Sequence, residues 1–228
     1  MIKLSIVLPC LNEAKSLPDV LDTIHCAAQQ LNEEYEIIVA DNGSTDGSQS
    51  LARAHGAKVV PVAVRGYGSA VQTGLTAATG EVLLFGDADG SYPFNEMAQL
   101  IAPILADKAD IVVGNRLNLP MPKEAMPALH RYFGTPFLSA CIRYLYGIKV
   151  YDCNGGMRAL AKSAWEKMDL SSLGMEYASE MLLETAKKGL RYQEVNVHFS
   201  PAHKNHIPHL RTFRDGFRHL WCIIKNRL

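Results

Sequence analysis

The sequence predicts an α/β fold in which helices cover both faces of a mostly parallel β-sheet. Short apolar runs alternate with longer segments of helical periodicity through the first half of the 228-residue chain. The runs are nearly continuous in apolar residues, which is typical of strands buried on both faces. Polar or glycine-rich segments follow four of these runs, at the sheet edge where such folds bind ligands. Together these observations favour a single nucleotide-binding type of domain.

Five strands are predicted before residue 115 and one near the end of the chain. They cover Lys3–Leu8, Glu36–Ala40, Lys58–Val62, Glu81–Phe85, Asp110–Gly114 and a stretch near Tyr192–Phe199. The predicted helices are Leu17–Leu31, Ser48–Ala54, Ser69–Ala78, Phe94–Ala106, an aromatic-rich helix over about 128–146, and two more before the last strand, of which one is Met175–Ala186. Residues 1–207 are predicted to form one domain and residues 208–228 a basic C-terminal helix.

Composition excludes several classes of protein. Hydrophobic residues make up 48% of the chain, which is enough for a large core. The 23 basic and 23 acidic side chains balance, which argues against a nucleic-acid partner bound through overall charge. The five cysteines are scattered and odd in number, which favours a reducing cytoplasm over a disulfide framework. No run reaches the roughly 20 apolar residues that a membrane-spanning helix needs.

The pair Asp87 and Asp89 is the strongest candidate for chemistry. It follows an apolar strand directly and precedes a glycine. Two carboxylates one residue apart can reach a hard divalent cation, and Mg²⁺ or Mn²⁺ completes its shell with phosphates and water. Such a cation would neutralise a diphosphate leaving group. Solvated turn formers are the usual alternative for acidic loop residues, but the position after a strand favours a metal site.

Two further loops are candidates for nucleotide binding. Asp41 closes the second strand, where its carboxylate can bind a base or ribose or can form an Asx turn before the next helix. The segment Arg65–Ser69 contains Gly-Tyr-Gly before a helix and is either a phosphate loop or a tight turn. The dinucleotide fingerprint G-x-G-x-x-G does not follow the first strand, which argues against a dehydrogenase.

Four motifs follow one another along the chain, at Val7–Glu13, Asp41–Asp46, Gly80–Asp89 and Gly114–Arg116. Together they resemble family 2 glycosyltransferases of the GT-A fold, a Rossmann-like architecture. Two later motifs, at Asp152–Arg158 and Pro208–Leu220, resemble, within that family, the polyprenyl-phosphate transferases, the group that includes the dolichol-phosphate mannose and glucose synthases.

The resemblance implies inverting transfer of a hexose from a UDP- or GDP-hexose donor to a polyprenyl phosphate, with Mg²⁺ or Mn²⁺. It implies metal ligands at Asp87, Asp89 and Ser91, the last standing where relatives often have glutamine. It implies that Asp89, Arg116 and Arg131 act in catalysis, with Thr135 beside Arg131 on the acceptor phosphate. The Asp152–Arg158 turn is expected to shape the acceptor loop. The expected nucleotide-sugar contacts are Pro9, Asn12, Glu13, Asp41, Gly68, Asp87, Ala88 and Arg211.

The acceptor decides whether a general base is needed. A lipid monophosphate is ionised at neutral pH and can attack unaided, whereas the hydroxyl of a glycan, protein or small molecule requires a base. Glu176 and Glu180 are the candidates for that alternative. A nucleotide-binding module without catalysis is a third hypothesis, which the intact Asp41, Asp87 and Asp89 disfavour.

The C-terminal segment has helical periodicity with one broad apolar face. We expect it to lie in the membrane interface, so that the protein is peripheral at the cytoplasmic face, although such helices also pack on their own domain. No acidic residue lies near positions 203, 206 and 209 in the sequence, so the histidines there do not predict a metal site. The apolar face comprises Phe213, Phe217, Leu220, Trp221, Ile224 and Leu228, and the basic residues around it are Arg211, Arg214, Arg218, Lys225 and Arg227.

Overall fold

The computed structural model describes residues 3–203 and 211–227, and a seven-stranded sheet forms the centre of that part of the chain. The strands are β1 (Leu4–Cys10), β2 (Tyr35–Asp41), β3 (Lys58–Pro61), β4 (Val82–Phe85), β5 (Ile111–Asn115), β6 (Arg158–Ala161) and β7 (Tyr192–Asn196). The helices are α1 (Leu17–Leu31), α2 (Ser48–Ala54), α3 (Tyr67–Ala77), α4 (Met97–Leu105), α5 (Thr135–Tyr146), α6 (Lys162–Trp165), α7 (Tyr177–Lys187) and α8 (Thr212–Lys225). A 3₁₀ turn (Phe94–Glu96) precedes α4, and a π-helical turn (His130–Gly134) precedes α5.

The strand order is β3-β2-β1-β4-β6-β5-β7, and the first four strands run parallel. The predicted α/β fold and its mostly parallel sheet are therefore confirmed. Cys10, the last residue of β1, pairs with Asp41, the last residue of β2. This register places the loops that follow these two strands side by side, as expected for a ligand-binding edge.

Strand β6 was not predicted. It runs antiparallel between β4 and β5, with Ala159 opposite Leu84 on one side and Val112 on the other. Its sequence, Arg-Ala-Leu-Ala, consists of good helix formers and leads directly into α6. Four residues are too few for periodicity to distinguish the two states, so burial on both faces decides the conformation.

Two buried clusters, one on each face of the sheet, form the core. Alternation along β1 sends Leu4, Ile6 and Leu8 into the cluster shared with α1 and α4. Val7 enters the cluster shared with α3, α5 and α7, which also receives Ile223 of α8. The predicted boundary between residues 207 and 208 lies outside the described residues, as do His206, His209 and Leu228. No helix in the described ranges has both the length and the apolar character to cross a membrane.

Candidate active site

A cleft of about 990 Å³ opens at the carboxyl edge of the sheet. Its walls come from residues after β1 and β4, the loop before α3, the turn before α5, and helix α8. The predicted site residues that line it are Pro9, Glu13, Asp87, Ala88, Asp89 and Arg116. The predicted residues outside this lining, all within the described ranges, are Asn12, Asp41, Gly68, Ser91, Arg131 and Arg211.

The loop with Asp87 and Asp89 is held rigidly at the end of β4. Ala88 between them is buried, and its carbonyl accepts a hydrogen bond from Ser16 Oγ at 2.9 Å. Asp89 Oδ1 accepts a hydrogen bond from the backbone N–H of Ser91 at 2.9 Å. The anchored alanine fixes the backbone, so both carboxylates reach the same cleft.

Two observations show that this loop fits a hard divalent cation. Ser91 is 2% exposed, and its hydroxyl is buried without a hydrogen-bond partner, which leaves an oxygen for an ion or its water. Gly156 lies beside Asp87, because a Cβ there would lie 2.9 Å from Oδ2 and would require that carboxylate to shift. The described residues contain no cluster of three or more His, Cys, Asp or Glu able to hold an ion. Further ligands would therefore be water and donor phosphate oxygens.

Asp41 organises the loop after β2 from behind the cleft. It is 3% exposed, and its carboxylate accepts hydrogen bonds from the N–H groups of Gly43 and Ser44 and from Gln49 Nε2, the last at 2.7 Å. This is the Asx turn that the sequence offered as one alternative. Asn12 supports the same loop, since its Oδ1 accepts from the N–H of Thr45 at 2.8 Å.

The glycine loop before α3 allows close packing of the backbone. A Cβ at Gly66 would lie 2.0 Å from Leu173 O, and one at Gly68 would lie 2.4 Å from Ser172 O. The side-chain amide of Asn42 makes two hydrogen bonds of 3.2 Å to the backbone of Gly66. Gly66 lines the cleft, whereas Gly68 is buried against residues 172–177. The two glycines thus allow the backbone of residues 172–174 to pack closely against this loop at the cleft wall.

Arg116 enters the cleft as half of a buried ion pair. Its Nε and Nη2 each donate to the Asp152 carboxylate at 2.8 Å, and its guanidinium lies 5.0 Å from the centre of the Phe199 ring. Burial alone would raise the pKa of Asp152, but the charge and hydrogen bonds of Arg116 outweigh burial and hold that pKa below its usual range. Arg158 anchors the same turn, because it donates to the carbonyls of Cys153, Gly155 and Ala178.

The family model described as glycosyl transferase family 2 matches residues 5–168, which include this loop and six of the strands. The chain belongs to glycosyl transferase family 2. It is therefore a glycosyltransferase, and the resemblance found in its motifs is confirmed.

Three relatives are similar to this glycosyltransferase over most of its length. It is 34% identical to the low-salt glycan biosynthesis hexosyltransferase Agl6 of Haloferax volcanii over 98% of its own length, and spans about half (53%) of that protein. It is 36% identical to an uncharacterized glycosyltransferase of Mycobacterium tuberculosis, covering 86% of this chain and 85% of the relative. It is 27% identical to a dolichyl-phosphate hexose transferase of Haloferax volcanii, over 85% of this chain and 81% of that protein.

Solved structures share the fold at lower identity. Glucosyl-3-phosphoglycerate synthase from Mycobacterium tuberculosis, in complex with Mn²⁺, UDP and glucosyl-3-phosphoglycerate, has a TM-score of 0.78 at 22% identity, covering 99% of this chain and 80% of that one. A second complex of that enzyme holds Mn²⁺, UDP-glucose and phosphoglyceric acid, with the same TM-score at 23% identity. The likeness shows that the glycosyltransferase has the GT-A architecture.

The predicted acceptor residues of the glycosyltransferase are only partly brought together. Arg131 lies on the π-helical turn, with its guanidinium 5.3 Å from the centre of the Tyr132 ring and outside the cleft lining. Thr135 lines the cleft, and its hydroxyl accepts from Asn154 Nδ2 at 3.2 Å. Arg211, which was predicted as a nucleotide-sugar contact, is exposed, and its backbone N–H donates to Asp215. The predicted roles of both arginines remain predictions.

Two arginines of α8 that the sequence assigned to a membrane-facing surface line the cleft of the glycosyltransferase instead. These are Arg214 and Arg218, which lie one helical turn apart. Their spacing of four was visible in the sequence, but which side of the helix meets the domain was not. The backbone of His203 also meets the site, since its N–H donates to the carbonyl of Asp89 at 2.9 Å. Sequence carried no signal for that contact.

The side of helix α8 that packs on the domain is not the apolar side predicted from the sequence. Asp215, His219, Cys222 and Ile223 are its buried residues, and His219 Nδ1 lies 2.7 Å from Ser179 Oγ. Burial lowers the pKa of His219 to about 4, so this histidine is neutral at physiological pH. The predicted apolar side is largely exposed at Phe213, Phe217, Trp221 and Ile224.

Proposed function

We propose that this glycosyltransferase transfers a hexose, with inversion, from a nucleoside-diphosphate donor to a polyprenyl phosphate. The observation that carries the proposal is the continuity of one cleft from Asp87 and Asp89 to Arg214 and Arg218 of α8. The same cleft holds carboxylates suited to a metal diphosphate and arginines suited to a phosphate. The similarity to a dolichyl-phosphate hexose transferase supports this acceptor class.

A bound Mg²⁺ or Mn²⁺ would be held by Asp87 and Asp89, with Ser91 Oγ directly or through water, and would supply positive charge to the leaving diphosphate. The Asp41 carboxylate holds the loop after β2, where the nucleoside would bind. It does so by accepting hydrogen bonds from three donors of that loop and of α2. Arg116 also lines the cleft, where Asp152 holds its guanidinium through Nε and Nη2. The chain thereby binds and orients both phosphates.

A phosphate acceptor needs no general base, and the contacts of Glu180 agree with that. Glu180, one of the two candidate bases, accepts hydrogen bonds from the N–H groups of Ser171 and Ser172, the shorter at 2.8 Å. A carboxylate already committed to two backbone donors is poorly suited to take a substrate proton. Its position is explained by the loop that it supports.

The mouth of the cleft is apolar, which suits an isoprenoid chain and a membrane surface. Exposed aromatic side chains of α8 stand beside those of the turn before α5, and both groups border the same cleft. Patches of this kind on a soluble protein mark an interaction surface, and adjacent cations favour anionic headgroups. We infer peripheral binding at the cytoplasmic face. The exposed residues are Leu129, Tyr132, Phe133, Phe137, Phe213, Phe217, Trp221 and Ile224.

The test is a transfer assay with purified protein, Mn²⁺ and radiolabelled UDP-glucose or GDP-mannose. A short polyprenyl phosphate is compared with the corresponding polyprenol, which has the same chain and no phosphate. The proposal predicts that label enters the lipid phase with polyprenyl phosphate and not with polyprenol. The Asp89→Ala variant should transfer no label to either lipid. Label transferred to polyprenol or to a free sugar at a comparable rate would contradict the phosphate acceptor.

A further inference from the structure

Two glycines that line the cleft are explained neither by backbone conformation nor by crowding. Gly134 ends the π-helical turn, and Gly216 lies inside α8. A Cβ at Gly216 would meet no atom within 4 Å beyond its own helix backbone, and one at Gly134 would lie 3.6 Å from Leu129 O, an ordinary contact. Every other glycine among the described residues has a positive φ or a group less than 3.0 Å from its Cβ position. Because glycine destabilises a helix relative to alanine, these two positions indicate space left for a ligand.

The two glycines lie at matching positions on helical segments that run side by side in the same direction. His130 Nε2 lies 3.0 Å from Thr212 Oγ1 where the two segments begin. Near their ends, the Tyr146 hydroxyl donates to the Ile223 carbonyl at 2.7 Å. Each glycine stands four residues after the first of these contacts in its own segment. We call the space between the segments, from the first contact to the second, the interhelical slot.

Apolar side chains and bare backbone form the cleft-facing part of the interhelical slot. On one segment Phe133 and Phe137 stack with their ring centres 6.1 Å apart, and both rings are largely exposed. A hydrocarbon chain can bind here by burying apolar surface, whereas a nucleotide or sugar would lose hydrogen bonds to water. The slot residues that line the cleft are Gly134, Phe137, Leu138, Gly216, Phe217 and Leu220.

The lipid chain of the acceptor is the apolar part of the proposed reactants. Gly216 lies between Arg214 and Arg218 on α8, and the proposed function places these two arginines at the acceptor phosphate. A chain attached to that phosphate therefore leaves it beside the slot. Each isoprene unit carries a methyl branch, and a glycine leaves free the volume that an alanine methyl group would fill. We propose that the interhelical slot holds the first isoprene units of the acceptor, and that Gly216 selects a methyl-branched chain by admitting its branches. This inference rests on the polyprenyl-phosphate acceptor of the proposed function.

A matched pair of acceptors tests this selection. Phytanyl phosphate and hexadecyl phosphate have the same head group and the same backbone length, and only the first carries methyl branches. Their kcat/KM values are measured in detergent micelles, with Mn²⁺ and UDP-glucose or GDP-mannose, for wild type and Gly216→Ala. We expect wild type to prefer phytanyl phosphate and Gly216→Ala to lower that preference at least about tenfold, as a change of one methyl group in an apolar site can. The value for hexadecyl phosphate should change little, because a straight chain does not need the space.

Thermal unfolding and two further variants separate selection from a change in folding. Alanine at position 216 meets no neighbouring atom and favours the helix, so Gly216→Ala should have a Tm at or above that of wild type. Gly134→Ala should also lower the preference for the branched chain. Ser50→Ala changes an exposed position of α2 outside the cleft lining, so it is the control and should keep the wild-type preference.

The outcomes distinguish the slot from the proposed function. Equal kcat/KM for the two phosphates in wild type would overturn the inference, although transfer to a lipid phosphate would still support the proposed function. A Gly216→Ala variant that keeps the wild-type preference, or that loses activity equally with both phosphates, would overturn it as well. Failure of wild type to transfer sugar to either phosphate or to a short polyprenyl phosphate would refute the proposed function, and the inference with it.

Discussion

Removing the Asp152 carboxylate should destabilise the protein strongly, because it leaves the Arg116 guanidinium buried without a counter-ion. Arg116 donates three hydrogen bonds to this carboxylate, from its backbone N–H, Nε and Nη2, and Asp152 is fully buried. Breaking a buried pair from one side costs about 3–5 kcal/mol. For a chain of this length each kcal/mol lowers the Tm by about 2–4 °C, so Asp152→Ala should melt roughly 6–20 °C below wild type.

Denaturant and thermal unfolding measure this loss, and pH provides an independent check. The folded-state pKa of Asp152 is depressed, so its contribution is fully present above the unfolded pKa of about 3.9 and is lost as pH falls through the folded value. The stability difference between wild type and Asp152→Ala should therefore be constant near neutrality and shrink below about pH 4.

A double variant tests whether the unpaired charge is the cause. Arg116→Met with Asp152→Leu removes both charges and keeps apolar volume, so it should be clearly more stable than Asp152→Ala alone. A loss below about 1 kcal/mol for Asp152→Ala, or a double variant at least as unstable as that single variant, would refute the reasoning.

Three further perturbations follow from the site. Gly156→Ala should reduce Mn²⁺ affinity, measured by titration calorimetry, because its Cβ would lie 2.9 Å from Asp87 Oδ2; unchanged affinity would place the ion elsewhere. Asp41→Ala should weaken binding of the free nucleoside diphosphate more than it lowers kcat, since it loosens the loop at the nucleoside end, and a pure kcat effect would argue against this role. The double variant Phe217→Ser, Trp221→Ser should co-sediment less with anionic liposomes than wild type does, at unchanged Tm. Co-sedimentation equal to that of wild type would show that α8 does not contact the membrane.

The parallel half of the fold and the position of the carboxylate pair could be predicted from sequence. Near-continuous apolar strands identify buried parallel strands, and the loops that follow them must share one edge. The bounds of α1 and α2 agree with the prediction, helped in α1 by a proline in its first turn. Strand β6 could not be predicted, because its four residues carry helix-forming side chains and its conformation depends on two neighbours distant in sequence.

The chemistry of α8 was harder to predict than its helicity. Periodicity identified an apolar side, but the domain buries the opposite side through Asp215 and His219, which are satisfied by Arg211 and Ser179. Polar residues that find partners can pack inward, and hydrophobicity alone does not reveal those partners. The contact of Arg218 with Glu176 and Gly174 depends on that packing, so only the structure brings the three together.

The most direct test of the central claim is ³¹P NMR of the reaction between donor, Mn²⁺ and a short polyprenyl phosphate. The proposed reaction converts the acceptor from a phosphate monoester into a sugar-linked diester as nucleoside diphosphate is released in equal amount. We expect the monoester resonance to decline in step with a new diester resonance, and neither to change with Asp89→Ala. A monoester resonance that persists while the donor is consumed would contradict transfer to the lipid phosphate.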